Sequence, residues 1–137
     1  MNTYLPTDPQ TLLFDDGELE EVLKEVENVM DTTEFDDVVW AGDLNWDMTR
    51  NTGFSEKMKT FAEKLGVMSV WDKFPVNYTH IHTDLHSTST LDHFMVNEWL
   101  PSVLQDAEAL HLGDNLSRHS PIMLKLSIGD IPARKLS

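Results

Sequence analysis

Cysteine is absent from all 137 residues of the sequence. Its absence excludes a disulfide scaffold, a thiolate zinc site and a cysteine nucleophile, and it fits a reducing compartment. Long apolar runs are missing as well, since none approaches the ~18 residues that span a bilayer. The start, Met1-Asn2-Thr3-Tyr4-Leu5-Pro6, has neither the basic opening nor the apolar stretch of a signal peptide. A soluble intracellular protein with no membrane partner is the resulting expectation, with nuclear and cytoplasmic locations not distinguished.

Basic residues are also scarce. Ten Lys and Arg stand against 24 Asp and Glu, a net charge of −14. Binding nucleic acid by phosphate neutralisation alone needs the opposite balance. Any action on a polyanion must therefore rest on a local site or a metal ion. The acidity is uneven: residues 1–47 hold 14 acidic side chains and one basic one, Lys24, whereas the other 90 hold 10 and nine.

What is present is ordinary for a folded domain: 40% hydrophobic and 25% charged residues, in a length that first suggests one domain with a real core. An extended start, Asn2 to Leu5, is stopped by Pro6 and Pro9. Leu19, Val22, Leu23, Val26, Val29 and Met30 then form one apolar stripe of a helix over Gly17 to Asp31. Glu18, Glu20, Glu21, Glu25 and Glu27 cover its other face and read as solvated. Val38 to Ala41 is a short apolar run ended by Gly42, as in a strand covered on both faces. A second helix is expected from about Glu56 to Leu65, capped by Ser55 and ended by Gly66. Strands are expected at Met68 to Trp71, Tyr78 to His82, Leu91 to Asn97 and Ile122 to Ile128. This order gives an α/β sheet with antiparallel additions.

Polar residues gather where strands should end, which is where open α/β sheets collect ligands. Asp43 and Asn45 follow the buried run ending at Ala41 and can point at one phosphate, metal or water, although Asp-x-Asn after glycine also reads as a turn. Asp92 with His119 is the second pairing: a carboxylate fixes an imidazole's tautomer and stabilises its charge. The alternative is a loop-capping Asp92 and an ordinary surface histidine. His80, His82 and His86, with Asp84 between, suit zinc or simply line a loop. Trp40, Trp46, Trp71 and Trp99 read as packing, except that Trp46 follows Asn45 directly at the cleft.

In order, the motifs are Asn2, Tyr4 and Pro6; Gly42, Asp43 and Asn45; Tyr78 and Thr79; Leu91, Asp92 and Phe94; and Ser117, His119, Pro121 and Ile122. Together they resemble the endonuclease/exonuclease/phosphatase superfamily, most closely the endonuclease domain of non-LTR retrotransposons. The resemblance runs from residue 2 to residue 128 and corresponds to the C-terminal half of that domain. It implies a partial domain over 1–129, a tail over 130–137, and half of a four-layer α/β sandwich with a mixed sheet covered by helices.

The resemblance also implies metal-dependent phosphodiester hydrolysis of DNA, of the retrotransposon or abasic-site type, with Mg²⁺ or Mn²⁺ as cofactor. Asp43 would orient or deprotonate the attacking water, and Asn45 would hold the phosphate or support the metal. His119, paired with Asp92, would stabilise the phosphoryl oxygens, and Tyr4 would sit against the phosphate or leaving group. Trp46 and Arg118 complete the expected substrate contacts.

Two departures accompany the likeness. The family's other half normally supplies an asparagine and a metal-binding glutamate. The family's usual serine-aspartate-histidine is here Ser117-Arg118-His119, which turns a cation ligand into a phosphate contact. The alternative function is a non-catalytic remnant that serves as an interaction module or self-associates through an exposed sheet face.

Overall fold

The structure is a computed structural model that describes residues 1–10, 17–35, 37–84, 86–97 and 100–127. Strands β1 (Asn2–Tyr4), β2 (Val39–Asp43), β3 (Val67–Ser69) and β6 (Asp92–Asn97) form one mixed sheet in the order β1-β2-β6-β3. β1 runs parallel to β2, while β6 runs antiparallel to both β2 and β3. Two hairpins complete the strands: β4 (His80–Ile81) with β5 (Thr88–Ser89), and β7 (Leu104–Ala109) with β8 (Ile122–Leu126).

Two helices cover one face of the sheet. Helix α1 (Gly17–Thr32) buries Leu19, Leu23 and Val26, and α2 (Gly53–Leu65) buries Phe54, Met58, Phe61 and Ala62. They meet Trp40 of β2 and Met95 of β6, both almost fully buried. Two of the α1 glutamates reach α2 rather than water alone: Glu20 pairs with Lys57, and Glu27 with Lys64 at 2.8 Å. Pairs this exposed add little stability.

The opposite face carries Val39, Phe94 and Val96, packed against Leu104, Ala107, Ile122, Leu124 and Leu126 of the β7–β8 hairpin. Both faces of the β2–β6 pair are therefore covered, which explains why Val38 to Ala41 lacks strand-like alternation. The result is the mixed α/β sheet expected from the motifs, with helices on one side and a second small sheet on the other.

Several boundaries differ from the sequence expectation. Helix α2 begins three residues early, because Thr52 and not Ser55 is the cap. Thr52 is extended (φ −124°, ψ 161°), its hydroxyl accepts the Ser55 N–H at 3.0 Å, and it donates to buried Asp8 at 2.9 Å. Ser55 instead accepts the Trp46 indole N–H at 3.0 Å. The strand expected through Trp71 stops at Ser69, whose hydroxyl accepts the Trp71 N–H at 3.2 Å and turns Val70–Asp72 into a 3-10 turn. Gly66 ends α2 as expected, at φ 71°. The end of the last expected strand at Ile128, the tail and Trp99 lie outside the described residues. Among the described residues, no helix is long and apolar enough to cross a membrane.

Candidate active site

Sheet register brings the first two acids together. Asp43 ends β2, Asp92 begins β6, and the two are direct cross-strand partners. Adjacent pairs on one face continue as Ala41 with Phe94 and Val39 with Val96, so both carboxylates leave the hairpin-facing side. Gly42 permits this geometry. At φ 139° it lies where glycine is favoured, and a Cβ there would stand 1.8 Å from the Thr3 carbonyl oxygen of β1.

His119 arrives from the loop between β7 and β8. Its Nδ1 lies 2.8 Å from Asp92 Oδ2, and its Nε2 lies 3.6 Å from Asp43 Oδ2. The backbone of this loop is held by β4 and the residue before it: Ile81 N–H donates to Arg118 O at 2.9 Å, and Ser120 N–H donates to Thr79 O at 2.7 Å. Asn115 adds a side-chain N–H to His119 O at 2.7 Å. An ionised carboxylate only accepts, so the Asp92 contact places the proton on Nδ1 and leaves Nε2 toward Asp43. The three side chains are 16%, 15% and 37% exposed, low enough to be partly dehydrated and high enough to be reached.

They line an open groove of about 730 Å³. Ala41, Phe94, Asn115, Ser117, Pro121 and Ile122 also line it. Burial and the nearby Asp92 charge raise the Asp43 carboxyl above its ordinary value, against the pull of the Asn45 N–H and His119. Burial, with the neighbouring His119 and His82, lowers the His80 imidazole, whose ring lies 4.6 Å from that of His119 at a tilt of 50°.

One oxygen or nitrogen from each of Asp43, Asp92 and His119 falls within 4.8 Å of the others, the spacing of groups able to hold a metal ion. Two carboxylates facing each other across a strand pair repel. A divalent cation relieves that repulsion, and the oxygen-rich set suits a hard ion. The residues present therefore fit the implied cofactor class.

The other expected site residues are placed as follows. Tyr4 is the register partner of Asp43 on β1 and is 71% exposed at the sheet edge. Asn45 is buried, adopts φ 48°, and gives its side-chain N–H to Leu5 O at 2.6 Å while its backbone N–H donates to Asp43 Oδ1 at 3.1 Å. Its amide nitrogen is thus turned to the N-terminal segment, and Asn45 shapes the turn that carries Asp43. Trp46 is not at the cleft. It is 5% exposed in the helix-side core, because the left-handed turn at Asn45 redirects the chain and Ser55 satisfies the indole. Arg118 is exposed and donates to His82 O at 3.3 Å.

The three-histidine alternative does not assemble. Asp84 accepts the N–H groups of His86 and Ser87 at 2.9 and 3.2 Å and so closes the β4–β5 turn. His80 and His82 both approach the Ser89 hydroxyl, at 3.4 and 3.3 Å. Among the described residues they form no ligand group.

Thr79, matched by motif without a role, is a fully buried anchor. Its hydroxyl accepts the N–H groups of Leu91 and Asp92 at 2.9 and 3.1 Å. Asn115 and Asp47 were not singled out in sequence at all. The only local signal was Asp47-Met48-Thr49, a spacing typical of side-chain-to-backbone turns.

No family model matches the chain, and no curated protein matches it by sequence. Solved structures do. A 3′ phosphatase, NExo, from Neisseria, bound to a product DNA hairpin, is 14% identical with a TM-score of 0.67, over 92% of this chain and 60% of that one. The endonuclease domain of TRAS1, a telomere-specific non-LTR retrotransposon, is 13% identical with a TM-score of 0.65, over 82% and 54%. An AP endonuclease from Archaeoglobus fulgidus is 20% identical with a TM-score of 0.65, over 91% and 60%. The architecture is thus that of the endonuclease/exonuclease/phosphatase fold, as the motifs implied. This chain spans between 54% and 60% of the length of those three structures.

Proposed function

We propose that the chain carries a metal-dependent phosphodiester-hydrolysing site that acts on DNA, of the retrotransposon or abasic-site endonuclease type. The convergence of Asp43, Asp92 and His119 on one groove supports this reading most. Asp43 accepts a proton from, or orients, the attacking water, standing directly opposite Asp92 and 3.6 Å from His119 Nε2. His119, protonated on both ring nitrogens, donates Nε2–H to a phosphoryl oxygen while Asp92 accepts Nδ1–H. The exposed Arg118 contacts a flanking phosphate, and Tyr4 borders the phosphate or leaving group.

A Mg²⁺ or Mn²⁺ held by Asp43 and Asp92 would supply charge to the phosphate without any basic surface, which suits a chain of net charge −14. The test is nicking of supercoiled plasmid and of an abasic duplex in Mg²⁺. Cleavage abolished by chelation, Asp43→Ala and His119→Ala is expected. No cleavage, or cleavage indifferent to these changes, overturns the assignment.

A further inference from the structure

The turn after Asp43 contains a second carboxylate, Asp47, which the proposed chemistry does not use. It is 7% exposed, and its two oxygens serve different parts of the chain. Oδ1 accepts the N–H and the hydroxyl of Thr49, at 2.9 and 2.5 Å. Oδ2 crosses to the N–H of Thr90 at 3.1 Å, 43 residues away in sequence.

Thr90 lies between β5 and β6, two residues before Asp92. The next two N–H groups, of Leu91 and Asp92, end on Thr79. Three consecutive amides leading into β6 are therefore held by two side chains, and Asp47 is the charged one. Burial pushes its carboxyl up, but the Thr49 hydroxyl and N–H, the Thr90 N–H and the Arg50 charge more than offset this and hold it below its ordinary value. It is thus ionised and accepts on both oxygens.

We propose that Asp47 is a positioning residue for the Asp43, Asp92 and His119 site. Its bond to Thr90 fixes where β6 begins, and so fixes the Asp92 carboxylate against His119 Nδ1. The purpose of that placement rests on the function proposed above, but its test does not require cleavage.

Asp47→Ala removes both arms. Thr49→Val removes the Thr49 hydroxyl and leaves the Thr90 arm intact. Asp47→Asn is the milder variant should the alanine form not fold. In ¹⁵N-labelled protein, the His119 ring resonances should move or broaden in the Asp47 variants and stay in place in Thr49→Val, with strand amides still dispersed. Unmoved His119 resonances in the Asp47 variants, or an equal change in Thr49→Val, overturn the proposal. In the nicking assay, kcat should fall on the order of tenfold to a hundredfold with KM unchanged, as for a misplaced group. Wild-type protein that does not nick refutes the functional reading, and the resonances still decide the positioning.

Discussion

Asp43 and Asp92 face each other directly across the β2–β6 pair, with His119 Nδ1 2.8 Å from one and Nε2 3.6 Å from the other. Opposed like charges weaken a sheet, so this arrangement sets site chemistry against fold stability. Asp92→Asn relieves the repulsion but no longer fixes the His119 tautomer. Cleavage should drop about a hundredfold or more, while the melting temperature stays level or rises. A variant that melts earlier and cleaves normally contradicts this.

Acid sensitivity should begin near the ordinary histidine pKa. Burial holds the His93 imidazole, 2.6 Å from Trp46 O, below its usual range, against the pull of that carbonyl and of Asp92 and Asp47. The unfolded chain therefore binds the proton more readily. Stability from this group is complete above about pH 6.5 and is lost as pH falls toward the folded value. His80 shifts the same way. The raised Asp43 carboxyl acts oppositely, its cost appearing as pH rises past 3.8. Urea unfolding followed by tryptophan fluorescence should show stability falling between about pH 7 and pH 5. His93→Gln should flatten that slope, and an unchanged slope contradicts the account.

Gly42→Ala should unfold or severely weaken the protein. The added Cβ meets the Thr3 backbone oxygen at 1.8 Å, at a φ that side chains rarely adopt. Relief requires moving β1, at a cost of about 3 kcal/mol or more. A melting temperature within a degree or two of wild type is the contrary result.

Trp46→Phe separates packing from substrate contact. It leaves Ser55 without its indole donor and opens space in the helix-side core. A loss of about 1–3 kcal/mol is expected, with DNA affinity of the folded protein unchanged. Weaker DNA binding at full stability would return Trp46 to the cleft.

Asp43, Asp92 and His119 stand out together only through the ordered motif resemblance, since singly they also read as a turn, a loop cap and a surface histidine. Trp46 lies away from the expected cleft because Asn45 takes φ 48° and turns the next residue inward, which nothing local announces. β7 went unseen for a related reason. Its buried residues, Leu104 and Ala107, lie three apart across a register shift at Leu104/Asp106, a helical spacing within a strand. The Ser55 cap was displaced by Thr52 because the deciding partner, Asp8, is 44 residues away. Asp47 stayed hidden because its role depends on Thr90, another long-range contact. Local periodicity reports faces and ends, whereas these features depend on tertiary partners.

The central claim is that Asp43 and Asp92, beside His119, hold a divalent cation, and calorimetric titration with Mn²⁺ tests it most directly. One site is expected in the wild-type chain, weakened at least tenfold by Asp43→Asn and by Asp92→Asn, with both variants still folded. No Mn²⁺ binding by the wild type, or equal binding by both variants, would contradict the account.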